Sequence, residues 1–341
     1  MTASISTGSP GRRPFPTVIV GYGRAGRDLH HQALRNLFVD GGDVLVVEPE
    51  GREVPRGCRL VPSLRAAARL VPVAEAVWHV TTPPQAHLCC VEEIAELGGR
   101  RLILEKPVAP TAEEAARLEA IAADVEILPV SVWPSSRVTE KVRQVVASGE
   151  IGEAVSLFME QSKPRFGRTL SSTSHQSALE VELPHQMLLA LHLAGPRARL
   201  LSAETWPMPL PARSILTMGG ALLRLEHAGG MVSTLLSDLT SPVRRRRLRV
   251  AGTHGEVVAD YPISSDDPYG QVKVTGRVGR SVVADAPLTH FIDSAYAYFA
   301  GLGPRPPADL ELHRLSIHLL EEARDRAVRS SLNSLKGAIG W

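Results

Sequence analysis

The chain has 341 residues, of which 44% are hydrophobic and 22% are charged, and its formal net charge at pH 7 is +2. This length exceeds the usual size of a single hydrophobic core, so we expect a soluble globular protein of two domains. The near-neutral charge argues against a nucleic-acid or membrane partner. No apolar run approaches the roughly 20 residues of a membrane span. Residues 1–15 lack the apolar stretch of a signal peptide and are predicted to form a disordered tail.

The cysteines and histidines do not indicate a metal site. Cys58 stands alone and Cys89 is adjacent to Cys90, so the C-x-x-C spacing of zinc sites is absent. Three cysteines at these positions do not indicate a disulfide framework either, and the lack of such a framework is typical of a cytoplasmic protein. Most histidines are scattered without metal-ligand spacing, and we expect them to be structural or exposed.

A dinucleotide-binding motif lies near the start of the chain. The short β-branched strand Thr17–Val20 runs directly into a complete G-x-G-x-x-G at residues 21–26, and an apolar-periodic helix follows. This order is the context that a dinucleotide fingerprint requires. Gly21 permits the tight turn, Gly23 permits the approach of a pyrophosphate, and Gly26 permits close packing of helix and strand. The positive end of the helix would favour the phosphates.

The second predicted strand, Asp43–Val47, ends at Glu48. This acid lies 22 residues past Gly26, close to the ~20 expected of the carboxylate that binds the adenine ribose. Because a carboxylate repels a 2′-phosphate, the sequence favours NAD over NADP. Arg52 lies four residues further on and could pair with a phosphate, so NADP is not excluded. Glu48 could also simply cap a strand end.

Helices and strands continue to alternate up to residue 132. The predicted elements are helix 63–70, strand 76–80, a helix opened by Pro84, strand 101–104, helix 112–123 and strand 126–132. Pro84 suits the first turn of a helix, and Thr111 with Glu114 forms a capping box. This βαβ series predicts a doubly wound parallel sheet.

Glu105-Lys106-Pro107 directly follows the strand Arg101–Leu104. Proline cannot continue a central strand, because it lacks the N–H group and fixes φ. Lys106 is therefore expected at the carboxyl end of a strand, where parallel α/β sheets bind their ligands. Only five of the 38 Lys and Arg residues are lysines, so the chain uses arginine for nearly every other cation.

Three motifs together resemble the Gfo/Idh/MocA oxidoreductases, a family named for glucose–fructose oxidoreductase and inositol dehydrogenase. They are the glycine loop at 21–26, Thr82-Pro83 with His87, and Glu105-Lys106-Pro107 with Glu113 and Glu114 after it. The resemblance covers nearly the whole chain. Glu-Lys-Pro at this distance from the glycine loop is its most specific mark.

The resemblance implies an α/β fold with an N-terminal Rossmann domain, residues 1–128, that binds a nicotinamide dinucleotide. It implies that residues 129–341 form an α+β domain with a large, mostly antiparallel sheet, which binds substrate and assembles a homodimer or homotetramer. Lys106 would be catalytic, often before a cis proline. Further residues implied for the cofactor site are Arg24, Ala25, Thr82, Pro83, His87 and Glu105.

The second half is predicted to be rich in strands. After helix 136–148, strands are expected at 154–160, 215–218, 221–227, 231–238, 248–251 and 257–260, and then helices at 288–300 and 310–329. The arginine-rich run at 244–249 invites a nucleic-acid interpretation. Because strand side chains alternate, Arg245, Arg247 and Arg249 would instead share one solvated or subunit-facing surface. No aromatic residues are interleaved for base stacking.

A second chemical centre is predicted where a helix opens near Pro184, which fits the first helical position. His185 then lies in the first turn, where the positive helix end favours a neutral imidazole that can accept a proton. The family has Asp-x-x-x-His here, with the histidine as acid/base partner of the lysine. This chain has Val181 at the position of the acid, so Glu182 or Glu180 would have to substitute for it.

The predicted function is hydride transfer between a nicotinamide and a secondary alcohol or ketone of a sugar, amino sugar or cyclitol. His185 would take the hydroxyl proton while Lys106 stabilises the developing alkoxide. His175, Arg165 and Arg168 are candidates for lining the substrate pocket. One alternative is imine or ene reduction of a non-sugar substrate. The other is a non-catalytic dinucleotide or sugar sensor on the same scaffold. The segment Trp133–Ser136, where the family tends to carry an Asn and an Arg, also favours the sensor.

Overall fold

The computed structural model describes residues 13–38, 44–51, 53–171, 175–211, 213–264 and 266–339, with side chains described as far as residue 327. The chain forms two units. The first comprises residues 1–135 and 286–314, and the second comprises residues 136–285 and 315–341. The boundary drawn from the sequence after residue 128 did not include the return of 286–314 to the first unit. Arg52 and most of the predicted N-terminal tail lie outside the described residues.

The first unit is built on a parallel sheet of six strands. They are β1 Thr17–Val20, β2 Val44–Val47, β3 Cys58–Val61, β4 Val77–Val80, β5 Arg101–Leu104 and β6 Glu126–Pro129. Their order, β3-β2-β1-β4-β5-β6, confirms the predicted doubly wound arrangement. The sequence did not predict β3, because only Val61 of its four residues is buried and no apolar alternation marks it.

The second unit is built on a sheet of eight strands. The sheet is large and mostly antiparallel, as predicted. Its strands are β7 Ala154–Ser162, β8 Ala198–Pro209, β9 Ser214–His227, β10 Val232–Asp238, β11 Arg245–Gly252, β12 Glu256–Asp260, β13 Tyr269–Val274 and β14 Ser281–Ala284. The order is β14-β13-β12-β11-β7-β10-β9-β8, with β7 and β10 parallel. The sequence missed β8, β13 and β14 at the two ends of the sheet. Pro207 and Pro209 hid β8, and an edge strand tolerates such prolines.

The helices complete both units. They are α1 Gln32–Leu37, α2 Leu64–Ala68, α3 His87–Glu96, α4 Ala112–Ile121, α5 Arg137–Ala147, α6 Phe166–Ser171, α7 Leu183–Ala194, α8 Pro287–Phe299 and α9 Leu310–Ile339. Thr111 caps α4, since its Oγ1 accepts the Glu114 N–H at 3.2 Å. In the second unit, α7 packs on β7 and β10.

The helix behind the glycine loop begins with a π-helical segment, Ala25–His31, which continues into α1. The 3.6-residue spacing predicts Leu29 on the buried face. Instead 42% of Leu29 is exposed, whereas His30 and His31 are buried. The wider π turn changes the angular step per residue, and this brings the two histidines to the inner face.

The core of the first unit joins its central strands to α8. Ile19 of β1, Val77 of β4 and Ile103 of β5 belong to one buried cluster with Phe291 and Tyr296 of α8. The segment that returns late in the sequence therefore completes the core of the doubly wound fold.

The arginine run forms an ion-pair ladder in the second unit. Arg245, Arg247 and Arg249 lie on one face of β11, as predicted from the alternation. Each pairs with a carboxylate of a neighbouring strand, namely Glu160, Asp260 and Glu256. Each of these three arginines therefore has a carboxylate partner within the sheet.

Candidate active-site residues

The glycine loop leaves β1 in a conformation that requires glycine at two positions. Gly21 has a φ of +86°, in the left-handed region. A Cβ on Gly26 would lie 2.2 Å from the Gly21 carbonyl oxygen and 2.8 Å from Thr81 Oγ1. The Thr81 hydroxyl also donates to the Gly21 carbonyl at 2.6 Å. The turn and the close approach of the helix therefore depend on these two residues.

Gly23 is different, because nothing described lies within 4 Å of a Cβ placed there. Packing does not explain a glycine at this position, so the space is available to a ligand. Arg24 beside it is exposed, and Ala25 begins the π-helical segment. An open glycine before a helix start fits the pyrophosphate of a dinucleotide, which backbone N–H groups and the guanidinium would bind.

Glu48 lies at the end of β2 and contacts the glycine loop. Its side chain is buried, and Oε2 accepts the Tyr22 N–H at 2.9 Å. The contact fixes the carboxylate at the edge of the loop, next to the position that the fingerprint gives to the adenine ribose.

His87 braces two loops at the carboxyl edge of the first sheet. Its Nε2 lies 2.8 Å from the Thr82 carbonyl and its Nδ1 lies 3.1 Å from the Val108 carbonyl. Burial lowers the pKa of His87, and the two carbonyls act against this. The ring nitrogens therefore contact the protein backbone. His87 thus connects the Thr82-Pro83 loop to the segment at Val108.

Lys106 lies where β5 ends, and the peptide bond between Lys106 and Pro107 is cis. The Lys106 N–H donates to Oε2 of the buried Glu105 at 2.8 Å, and Glu105 Oε1 lies 3.0 Å from His30 Nε2. Burial alone would raise the pKa of Glu105. The His30 hydrogen bond and the Lys106 charge outweigh burial, so its pKa is lowered and the carboxylate is ionised at neutral pH.

His30 continues into a buried chain of polar groups that the sequence interpretation missed. His30 Nδ1 lies 2.8 Å from His79 Nδ1, and His79 Nε2 lies 3.0 Å from Tyr296 Oη. The Tyr296 hydroxyl is 2.7 Å from Thr17 Oγ1. Burial holds the pKa of His79 well below its ordinary value. The available signal was His79 itself, the one polar residue in the strand predicted at 76–80.

His313 of α9 is a further buried histidine of the first unit. Its Nε2 lies 3.0 Å from Ser131 Oγ. Burial lowers the pKa of His313 to about 3, while the charge of Glu105 raises it and that of Lys106 lowers it. His313 is therefore neutral over the physiological range and within the electrostatic reach of both motif residues.

In the second unit, the two candidate acids have different partners. Glu182 is buried and forms an ion pair with Lys163, which lies just past the end of β7. Glu180 accepts from Arg324 at 3.1 Å and from the Gln176 N–H at 2.8 Å. Lys163 received no role from the sequence.

His185 lies at the start of α7. The helix begins at Leu183, so Pro184 takes the second helical position rather than the predicted first. The His185 N–H donates to the Glu182 carbonyl at 3.1 Å, and the side chain is partly exposed. Lys106 and His185 belong to different units.

The polar stretch before α7 contains the short helix α6, which the sequence did not predict. Arg165 is 4% exposed and donates to Thr169 Oγ1 at 3.1 Å and to His175 Nδ1 at 3.3 Å. Burial and the charge of Arg168 lower the pKa of Arg165, and the charge of Glu182 opposes them. Arg165 and His175 are thus brought together, whereas Arg168 is exposed.

The described ranges contain neither a candidate metal site nor a candidate membrane span. No group of three or more His, Cys, Asp or Glu side chains in this part of the chain could hold a metal ion. No helix within it is long and apolar enough to cross a membrane.

Neither a protein-family model nor a curated protein matches the sequence. Solved structures match along nearly the whole chain. UDP-N-acetylglucosamine 3-dehydrogenase GnnA from Acidithiobacillus ferrooxidans is 20% identical, with a TM-score of 0.66 over 92% of this chain and 97% of that one. The 3-ketoreductase KijD10 from Actinomadura kijaniata, solved with TDP-benzene and NADP, is 16% identical, with a TM-score of 0.70 over 92% and 98%.

An oxidoreductase from Agrobacterium radiobacter, in complex with NAD+, L-tartaric acid and magnesium, is also similar. It is 16% identical, with a TM-score of 0.73 over 93% of this chain and 97% of that one. The chain has the fold of these oxidoreductases. At such identities the likeness concerns the fold alone.

Proposed function

We propose that this protein is a nicotinamide-dependent oxidoreductase of the Gfo/Idh/MocA type. The observation that carries the proposal is the carboxyl edge of one parallel sheet. The glycine loop follows β1, Glu48 follows β2, and the ionised Glu105 beside Lys106 follows β5. Open α/β sheets bind their ligands at this edge.

Within this proposal, the nicotinamide supplies the hydride acceptor or donor when bound. The loop around Gly23 and the exposed Arg24 would hold the pyrophosphate, and Glu48 would bind the adenine ribose, with Thr82-Pro83 nearby. In the oxidative direction His185 takes the proton of the substrate hydroxyl at a ring nitrogen. The Lys106 ammonium stabilises the negative charge that develops on the same oxygen.

The proposed substrate is a sugar, amino sugar or cyclitol with a secondary alcohol or ketone. Support comes from GnnA, named a dehydrogenase of a nucleotide-linked amino sugar, and from KijD10, named a ketoreductase. Lys163, Arg165 and His175 would offer hydrogen-bonding groups to several hydroxyls. Glu182, which is bound to Lys163 and lies three residues before His185, would replace the family's aspartate, whose position is taken by Val181.

Of the two alternatives, a non-catalytic sensor has specific support. A non-catalytic sensor is favoured by Val181 at the position of the family's acid and by the pairing of Glu182 with Lys163. The presence of both Lys106 and His185 counts against it, since a sensor needs neither. Reduction of an imine or alkene uses the same fold and the same cofactor.

A substrate screen by nicotinamide absorbance, run with wild type, Lys106→Met and His185→Ala, tests the proposal. Lys106→Met keeps the length of the side chain and removes its charge, so turnover should fall about 10²-fold or more. His185→Ala should lose activity similarly and recover in part at high pH, where solvent base substitutes. Combined, the two losses should not add, because both residues are proposed to act in the same reaction step.

Dinucleotide affinity is the control, since neither substitution touches the glycine loop. Normal turnover in both single variants would show that the site assignment is wrong. A wild type that binds NAD but oxidises and reduces nothing across sugars, cyclitols and imines would favour the sensor.

A further inference from the structure

A continuous line of hydrogen bonds connects Glu105 to Thr17 inside the first unit. It passes from Glu105 through His30 and His79 to Tyr296, with donor–acceptor distances of 3.0, 2.8 and 3.0 Å. The last contact, 2.7 Å long, joins the hydroxyl oxygens of Tyr296 and Thr17. Glu105 is 6% exposed and the other four residues are no more than 2% exposed. The line joins the strand before Lys106 to the π-helical segment, β4, α8 and β1.

The proton positions follow from what each atom can donate. The ionised Glu105 accepts, so His30 Nε2 carries a hydrogen. Two Nδ1 atoms 2.8 Å apart require one hydrogen between them. In the arrangement without added charge, His79 donates that hydrogen to His30 and accepts at Nε2 from Tyr296. The reverse arrangement places a second hydrogen on His30 and makes its contact with Glu105 a buried ion pair.

In the arrangement without added charge, the hydrogen bonds from Tyr296 through His79 and His30 all point toward Glu105. Each donor in such a chain polarises the next, so His79 strengthens the donation from His30 to the carboxylate. Glu105 in turn accepts the Lys106 N–H at Oε2. His30 is also four residues past Gly26, on the segment directly behind the glycine loop.

We propose that His30 and His79 are positioning residues that hold the Glu105 carboxylate against the Lys106 backbone. They thereby connect the helix behind the glycine loop to the strand end that carries the lysine. The significance for catalysis rests on the proposed function, but the connection itself does not. Other charged groups act on this chain, namely Lys106 on Glu105, and Arg13 on His79 and Tyr296. The charge of Glu105 acts in turn on His313.

The first test needs no substitution and no substrate. Long-range ¹H–¹⁵N NMR of histidine-labelled protein should show His30 protonated at Nε2, and His79 protonated at Nδ1 with Nε2 free of hydrogen. The variants His30→Gln and His79→Phe serve to assign the two rings. A His30 ring without a hydrogen on Nε2 would overturn the proposal.

The second test follows the Glu105 carboxyl by ¹³C NMR, with its signal assigned by its loss in Glu105→Gln. His30→Leu should raise the pKa of Glu105 by about one unit or more, because a hydrogen bond to the charged form is lost. His30→Gln keeps a donor and should restore most of the wild-type value. His79→Phe should give a smaller rise, since His30 keeps its bond to Glu105.

His227→Leu is the matched control. His227 is a buried histidine of the second unit, with Nδ1 2.9 Å from the Gly195 carbonyl and Nε2 2.8 Å from Ser233 Oγ. Its loss should destabilise the protein and leave the Glu105 signal unmoved. An unchanged Glu105 pKa in folded His30→Leu and His79→Phe would overturn the proposal, and His79→Phe alone decides if His30→Leu does not fold.

Once the screen identifies a substrate, His79→Phe should lower kcat about tenfold and leave KM nearly unchanged, with His30→Gln less affected. A rise in KM with an unchanged kcat would contradict a role in positioning Lys106. Failure of the proposed function would appear as an inactive wild type with both NMR results intact, so the two failures are distinguishable.

Discussion

At the scale of single residues, burial converts histidines of the first unit into neutral hydrogen-bonding groups. His79 and His313 are both buried, and burial is the largest cause of their lowered pKa values. Each has a hydrogen-bonding partner in the protein, Tyr296 for His79 and Ser131 for His313. Their neutral state is therefore part of the folded structure, and protonation opposes folding.

His313→Gln should weaken the loss of stability in acid. The pKa of His313 is about 3 in the folded protein and about 6.5 in the unfolded chain. Below pH 6.5 the unfolded state binds a proton that the folded state does not, so stability is full above this pH and falls as the pH falls toward 3. From pH 7 to pH 5 this costs the wild type about 2 kcal/mol.

Urea unfolding of both proteins at pH 7 and pH 5 measures this difference. Glutamine keeps a hydrogen-bonding group for Ser131 and does not titrate, so the variant should lose less stability. Equal losses in the two proteins would show that His313 does not carry this dependence.

Glu48 is expected to set the cofactor preference. Its buried carboxylate is held at the glycine loop by the Tyr22 N–H, where a 2′-phosphate would meet its charge. Calorimetric titration should show NAD(H) binding about tenfold more tightly than NADP(H), a difference of about 1.4 kcal/mol, and Glu48→Gln should narrow the gap. Equal or reversed preference in the wild type would mean that Arg52 governs the ribose pocket.

At the scale of elements, the strand–loop–helix unit uses its glycines for different purposes. A Cβ on Gly26 would meet backbone oxygen at 2.2 Å, whereas a Cβ on Gly23 would meet nothing within 4 Å. Gly26 is therefore needed by the fold, whereas Gly23 leaves space that a ligand would use.

The pair Gly26→Ala and Gly23→Ala separates these purposes. Gly26→Ala should destabilise the protein by about 2 kcal/mol, since overpacking forces the helix from the strand. Gly23→Ala should keep the wild-type Tm and weaken dinucleotide binding about tenfold or more, because the methyl group occupies the open space. Thermal unfolding and NADH titration of both variants measure this. Unchanged NADH affinity in Gly23→Ala would place the pyrophosphate elsewhere.

At the scale of the whole molecule, the open face of the second sheet is the proposed assembly surface. Phe158, Leu222 and Leu236 are only partly buried on this face, and Leu236 lies directly beside Leu222. The ion-pair ladder of β11 borders them. Partly exposed apolar residues ringed by charges are typical of a protein–protein contact.

We expect a homodimer or homotetramer in sedimentation velocity, and Leu236→Arg should reduce it to the monomer. A buried unpaired charge in an interface costs several kcal/mol. Val278→Arg is the control, because Val278 is fully exposed in a turn outside this face. A monomeric wild type, or equal dissociation in both variants, would contradict assembly through the sheet.

The sequence by itself determined the elements whose signals are local. The glycine loop between β1 and its helix, the strand before Lys106 and the cap at Thr111 each depend on neighbours within a few residues. Alternation also predicted correctly that Arg245, Arg247 and Arg249 share a face. Edge strands such as β8 escaped prediction, because their prolines and half-exposed residues carry no clear period.

Only the tertiary structure decided which distant residues meet. Glu105, His30, His79 and Tyr296 come from four separate elements, and the register of the parallel sheet together with the return of α8 brings their polar atoms within about 3 Å. The pairing of Glu182 with Lys163 likewise joins the start of α7 to the end of β7. Periodicity encodes which side of an element is buried. The partner across that buried space is fixed by packing, which no local pattern records.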